Sequence, residues 1–237
     1  MKKQIPNLIT LGNLLCGVLA AYCAANDRLH LAALLICLGI LLDFFDGMTA
    51  RLLGVSSPIG KELDSLADVV TSGVAPGFIV FKMIQQCAPA GSAFQWIALV
   101  ALLIPLFAAY RLAKFNLDTR QSHSFLGLPV PSNALIWVGL ALSLGTATFD
   151  PIAHQSWFVV AVIAVSLLTD ILMVSELPMF SLKFNFKDLT WRTNSVPYIF
   201  LIGCALIIAL TRHWFAISII ILWYILFSFL TRNRQHA

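Results

Sequence analysis

Eight runs of apolar residues separated by short polar breaks dominate this chain, near positions 7–25, 29–53, 61–86, 94–115, 131–147, 157–174, 196–211 and 214–231. Most approach the roughly 20 residues that an α-helix needs to cross a bilayer's hydrocarbon core. The pattern predicts an all-α integral membrane protein of about eight transmembrane helices. Such spans consume about 160 residues of the 237, leaving connections and tails but no separate soluble domain, so a single domain is expected. Only 11% of the residues are charged, against about 25% in a soluble domain, which excludes a water-soluble protein. A net charge of +4, scattered along the chain, provides no basic stripe for nucleic acid. Met1, Lys2 and Lys3 lead into the first run with no small-residue cleavage pattern, so no cleaved signal peptide is expected. Cys16, Cys23, Cys37, Cys87 and Cys204 are dispersed without ligand spacing and read as small packing residues.

Charge placement sets an orientation. With eight spans, one side collects Lys2, Lys3, Arg51, Lys61, Arg111, Lys114, Arg120, Lys183, Lys187, Arg192, Arg232 and Arg234, and the other keeps Arg28, Lys82 and Arg212. The positive-inside rule therefore predicts that both termini and the connections at 54–60, 116–130 and 175–195 are cytoplasmic.

Against this apolar background, Asp43, Asp46, Glu62, Asp64 and Asp68 crowd into one short stretch. An ionisable residue at the centre of a span costs about 2.5 to 3.5 kcal/mol on insertion scales, and such residues face a cavity or a partner. Asp43 and Asp46 are three apart and Asp64 and Asp68 four apart, so each pair shares a helix face. If Arg51 and Gly60 end antiparallel helices on one side, a rise of about 1.5 Å per residue puts Asp46 and Asp64 about 6 to 8 Å deep, and Asp43 and Asp68 about 12 Å deep. Carboxylates brought so close repel unless cations neutralise them. Hard oxygen donors without Cys or His point to Mg²⁺, Mn²⁺ or Ca²⁺, and four carboxylates suit two ions, an arrangement that serves displacement at phosphorus. Gly47, Ala50 and Gly60 leave bare backbone for a ligand to lie against, and Arg51 offers a fork for phosphate. A cation transporter using the same aspartates, or a structural scaffold, is the competing class.

The run Asp43-x-x-Asp46-Gly47-x-x-Ala50-Arg51, eight residues, then Gly60-x-x-x-Asp64-x-x-x-Asp68 resembles the signature of the CDP-alcohol phosphatidyltransferase family at all eight positions. The resemblance implies a six-helix membrane core, here about 1–190 with two extra helices at about 196–231. It also implies a homodimer that moves a phosphorylated group from a CDP-linked donor to an alcohol and releases CMP. By matching position, Asp43, Asp46, Asp64 and Asp68 resemble the family's metal ligands, and Asp68 its general base. Asp46, Gly47, Ala50, Arg51 and Gly60 resemble the residues around the CDP group.

The segments Ile5–Gly17, Arg111–Asn116, Phe125–Pro131 and Leu172–Ser175 are similar to those of the membrane-bound branch that uses CDP-diacylglycerol and serine. The resemblance thus implies phosphatidylserine synthesis at the cytoplasmic face of the inner membrane, among membrane lipids. Another acceptor, such as glycerol 3-phosphate or inositol phosphate, stays open. Arg111, Lys114 and Arg120 are candidates for binding the acceptor or a lipid phosphate, with the first two on one helix face, or they only enforce orientation. Asp170 and Glu176 read as ordinary helix-end charges, with neutralising that cluster or contacting the serine ammonium as the alternatives. Pro76 and Pro105 are expected to kink the third and fourth helices and open the cavity.

Overall fold

The computed structural model describes residues 4–55, 57–88, 94–118, 125–147, 149–153, 155–180 and 191–231. The orientation charges Lys2, Lys3, Lys183, Lys187, Arg232 and Arg234 lie outside the described residues. Helix α1 (Gln4–Ala25) turns at once into α2 (Leu29–Leu52). Helix α3 (Pro58–Asp68) runs without a break through a π-helical segment, Val69–Val74, into α4 (Ala75–Cys87). A short α5 (Phe94–Ile97) and a 3₁₀ stretch, Ala98–Leu102, lead into α6 (Leu103–Leu117). Then come β1 (Phe125–Leu126), α7 (Val130–Ser143), α8 (Asp150–Ala153), α9 (Ser156–Val174), β2 (Pro178–Met179), α10 (Trp191–Thr211) and α11 (Phe215–Thr231).

Among the described residues, five helical stretches are long and apolar enough to cross a membrane: Gln4–Ala25, Leu29–Leu52, Pro58–Cys87, Gln95–Leu117 and Ser156–Val174. Val130–Ser143, Ser195–Thr211 and Phe215–Thr231 are apolar but shorter. The protein is therefore an all-α membrane protein, with eight apolar segments where the sequence predicts eight. Packing follows membrane rather than water logic. Ala20, Ala24, Ala32, Ala33, Ala75, Ala98, Ala101 and Ala134 are buried, whereas Leu8, Leu15, Leu34, Leu41, Leu106 and Leu168 point outward. Lipid tails solvate leucine as well as a protein interior does, so helices associate through small residues that let backbones approach. Helix α7, buried on nearly every side and carrying the fully buried Trp137, forms the centre against which α2 and α11 pack.

The junction of α1, α2 and the π segment is the tightest of these approaches. A Cβ on Gly17 would sit 2.7 Å from the Thr71 Cα, and one on Gly39 would sit 2.9 Å from the Asn13 Oδ1. The Thr71 hydroxyl donates to the Asn13 carbonyl at 3.0 Å, across the two helices.

Several boundaries differ from expectation. The third helix starts at Pro58, because the Ser57 Oγ accepts from the Gly60 N–H at 3.0 Å and proline fits the first helical position. The fifth ends at Ser143 rather than 147, just before Gly145 at φ +77°. Helix α10 begins at Trp191, inside a stretch expected to be a connection. Within that connection β2 pairs antiparallel with β1, Phe125 opposite Met179. Gly127, at φ +73°, lies so close to the end of α9 that a Cβ would stand 2.8 Å from the Ser175 carbonyl oxygen. The helices depart from regular α geometry just ahead of both prolines. Proline lacks an N–H and crowds the preceding turn, and the ladder ahead of Pro76 widens to Ala75 N–H → Val70 O, while 3₁₀ turns precede Pro105. Pro105 then packs against Gly73 and Gly77, where added Cβ atoms would meet it at 3.4 and 3.0 Å. Pro105 thus forms a close contact between two helices.

Gly17→Val should destabilise the protein by about 1–3 kcal/mol, the usual cost of overpacking a filled interior. Gly12→Ala, whose Cβ would meet only the Leu42 Cδ1 at 3.4 Å, should leave it nearly unchanged. Thermal unfolding in detergent compares the two; equal midpoints would deny the junction its structural role.

Candidate active site

Because α2 and α3 run side by side from a short turn, their acidic faces meet. One oxygen each from Asp43, Asp46 and Asp64 lies within 4.8 Å of the others. Asp46 is 6% exposed. The Thr10 hydroxyl sits 2.6 Å from the Asp46 Oδ2 and 3.0 Å from the Pro6 carbonyl oxygen, between α1 and the acidic group. Asp68 stands outside this trio, its Oδ1 accepting from the Asn13 Nδ2 at 3.4 Å. Among the described residues, the ion pairs are Lys82–Asp27 and Lys114–Glu176, so none joins these four carboxylates to a lysine or arginine.

An open cavity of about 240 Å³ adjoins the trio, lined by Pro6, Asn7, Thr10, Asp46, Gly47, Ala50, Val55, Ser57, Gly60, Lys61 and Asp64. A Cβ on Gly47 would meet nothing within 4 Å, so its hydrogen faces open space. A Cβ on Gly60 would come within 2.9 Å of the Ser57 Oγ and 3.0 Å of the Asn7 Oδ1, so glycine is needed there for the turn to close. The start of α3, where the Ser57 Oγ caps the Gly60 N–H, borders this space through Gly60 and Lys61.

The profile of the CDP-alcohol phosphatidyltransferase family matches residues 3–169. The chain belongs to that family. It is 40% identical over 150 residues to a Bacillus subtilis protein named CDP-diacylglycerol–serine O-phosphatidyltransferase, covering 63% of this chain and 79% of that one. Proteins of the same name from Helicobacter pylori (38% over 136 residues) and Mycobacterium leprae (32% over 185 residues) match 56% and 74% of this chain. The matched segments span 55% and 57% of those two relatives.

The CDP-alcohol phosphatidyltransferase family is generally dependent on divalent metal, and the donor set here fits one: carboxylate oxygens alone, from two helices, converging with no ion pair to a lysine or arginine among the described residues. Of the residues predicted from sequence, Asp46, Gly47, Ala50, Gly60 and Asp64 line the cavity. Asp43 joins the carboxylate trio, and Asp68 lies apart from it beside Asn13. Arg51 is exposed and does not line the cavity; Lys61 does. Arg111 is buried at 8% exposure, its guanidinium 5.4 Å from the Phe115 ring centroid and within electrostatic reach of Asp68. Lys114 instead turns to the end of α9, donating to the Val174 carbonyl and the Glu176 carboxylate, each at 3.4 Å. The expected shared face of Arg111 and Lys114 is thus divided between interior and surface. Arg120 lies outside the described residues.

The contribution of α1 was missed from sequence. Asn7, Thr10 and Asn13 reach the site from a helix whose site-facing residues, Pro6, Thr10, Asn13 and Gly17, recur at spacings of four, three and four. Polar residues repeating at helical period inside an apolar run were the available signal.

Thr10→Val keeps the shape but removes the hydroxyl that orients Asp46. Loss of such a support weakens metal affinity about 10- to 100-fold, and Mn²⁺ titration followed by paramagnetic resonance should show a loss of that order. Unchanged affinity would leave Thr10 only a packing role.

Proposed function

We propose that the chain transfers the phosphatidyl group of CDP-diacylglycerol to the hydroxyl of L-serine, giving phosphatidylserine and CMP. The observation that carries this reading is the convergence of Asp43, Asp46 and Asp64 beside a cavity whose walls include Gly47, Ala50 and Gly60. The names of the relatives support serine as acceptor. The twelve-to-three distribution of basic residues supports an inner-membrane site open to the cytoplasm. On this reading the chain is one domain working as a homodimer, and the acyl chains of the donor leave the site sideways between helices.

The pyrophosphate of the donor lies against Gly47 and Gly60, with Lys61 and the start of α3 facing its charge. Asp43, Asp46, Asp64 and Asp68 would hold Mg²⁺ or Mn²⁺, as two ions, which neutralise the pyrophosphate and polarise its P–O bonds. Asn13 orients Asp68 through its Oδ1. The Asp68 carboxylate takes the proton from the serine hydroxyl, and the serine oxygen attacks the lipid-bearing phosphorus. The new P–O bond replaces the bond to the bridging oxygen, which departs on CMP.

Purified protein supplied with Mn²⁺, CDP-diacylglycerol and serine should release CMP and form phosphatidylserine, detected together by mass spectrometry. Release with glycerol 3-phosphate or inositol phosphate and none with serine would reject the acceptor while keeping the family. Asp68→Asn should abolish turnover and leave donor binding within a few-fold. Turnover retained in that variant would remove Asp68 as the base.

A further inference from the structure

Asp170 is 1% exposed, and neither of its carboxylate oxygens has a hydrogen-bond partner among the described residues. A helix-end charge would lie in the headgroup region, as Glu176 does in its exposed pair with Lys114. Asp170 is instead a turn inside α9, on the same face as buried Ser166 and Met173. A carboxylate stripped of water is stable only when a cation or donors replace that water. No described residue supplies a hydrogen bond or ion pair to Asp170.

The other orphaned buried atoms come from helices packed around the same interior. They include Ser72 Oγ in the π segment, Arg111 Nε on α6, Asn133 Nδ2 on α7 and Ser166 Oγ on α9. The π segment packs on α6 and α7, and α6 packs on α7 and α9. A small apolar cluster marks their meeting point, built from Ala108, Leu112, Leu128, Val130 and Met173 with Val69 against it. Ser72 lies one turn from Val69, Asn133 one turn from Val130, Asp170 one turn from Met173, and Arg111 adjoins Leu112. The unmatched polar groups therefore lie on helices that meet at one cluster, and Val69 of that cluster directly follows Asp68. The Asn133 side chain is already oriented, since its Oδ1 accepts from the Trp137 Nε1 at 3.2 Å. Its NH₂ is left to donate elsewhere.

The inventory is one anion, one cation, an amide donor and two hydroxyls, next to the proposed base. It complements a small zwitterion bearing a hydroxyl. Resting on the serine reading above, we propose that Asp170, aided by Ser166, receives the ammonium group of the acceptor, while Arg111 and Asn133 face its carboxylate. The acceptor's hydroxyl is then left for Asp68. A buried anion in this position also selects against phosphorylated alcohols, which bring no ammonium and add negative charge.

The test uses the full chain in detergent micelles with Mn²⁺ and CDP-diacylglycerol. Asp170→Asn is nearly isosteric and removes only the charge. It should raise the KM for serine about 10- to 100-fold, the range for losing a charge-assisted hydrogen bond, with the KM for the donor within two-fold. 3-Hydroxypropionate, which is serine without its amine, should inhibit wild type and variant with the same constant. An unchanged serine KM, or equal weakening of serine and 3-hydroxypropionate, would overturn the assignment. Should Asp170→Asn fail to fold, Ser166→Ala should show the same serine-selective rise in KM, and its absence would overturn the assignment equally. A wild-type protein that turns over with another alcohol but not with serine would remove the functional reading and this inference together. Serine turnover indifferent to both substitutions would remove this inference alone.

Discussion

The contact between Asn13 on α1 and Thr71 beyond α3 holds the rest of the site in place. Gly17 and Gly39 let three backbones come close enough for the Thr71 hydroxyl to donate to the Asn13 carbonyl. Asn13 is thereby set to donate its own amide to Asp68. From that crossing, α2 and α3 bring Asp43, Asp46 and Asp64 together, and α1 supplies Thr10 to Asp46. A larger residue at Gly17 would push the helices apart, because the Thr71 backbone opposite it cannot swing away, whereas one at Gly39 would displace the Thr71 and Asn13 side chains.

This arrangement also explains how a membrane protein tolerates so many carboxylates in helices. Asp43, Asp46, Asp64 and Asp68 are withdrawn from the surface, where a cation, a donor or a ligand can replace lost hydration, while Glu62 is exposed. The lipid-facing surface carries leucine and aromatic residues such as Leu15, Leu34, Phe44 and Leu168. Alanine and glycine take the interior, because close approach rather than hydrophobic exclusion holds helices together in lipid. The same small-residue seams that pack the bundle leave bare backbone at Gly47 and Gly60, so packing and ligand access come from one choice of residue.

Much of the carboxylate site was legible in the sequence. Helical spacing placed Asp43 with Asp46 and brought Asp64 to them from the facing helix, whereas Asp68, expected on the face of Asp64, stands outside the trio; the start signal Ser57-Pro58 lies beside the expected turn. Arg51 and Lys61 show where that reasoning stops. Both are basic residues near the same turn, and only the path of α3 decides that Lys61 lines the cavity while Arg51 points away. Pro76 and Pro105 read as kinks that open space, yet the glycines facing Pro105 turn it into a contact.

The chain's order alone determined the apolar spans, the acidic motif and the chemical class of the site, since these depend on length, composition and spacing within a helix. Tertiary structure decided which residues reach that site from elsewhere: Thr10 and Asn13 from α1, and the buried, unmatched Asp170 on α9. Periodicity tells which residues share a face, but which neighbour that face meets is set by close approach between helices distant in sequence. An acid near a helix end looks the same in sequence whether that end meets headgroups or is enclosed by other helices.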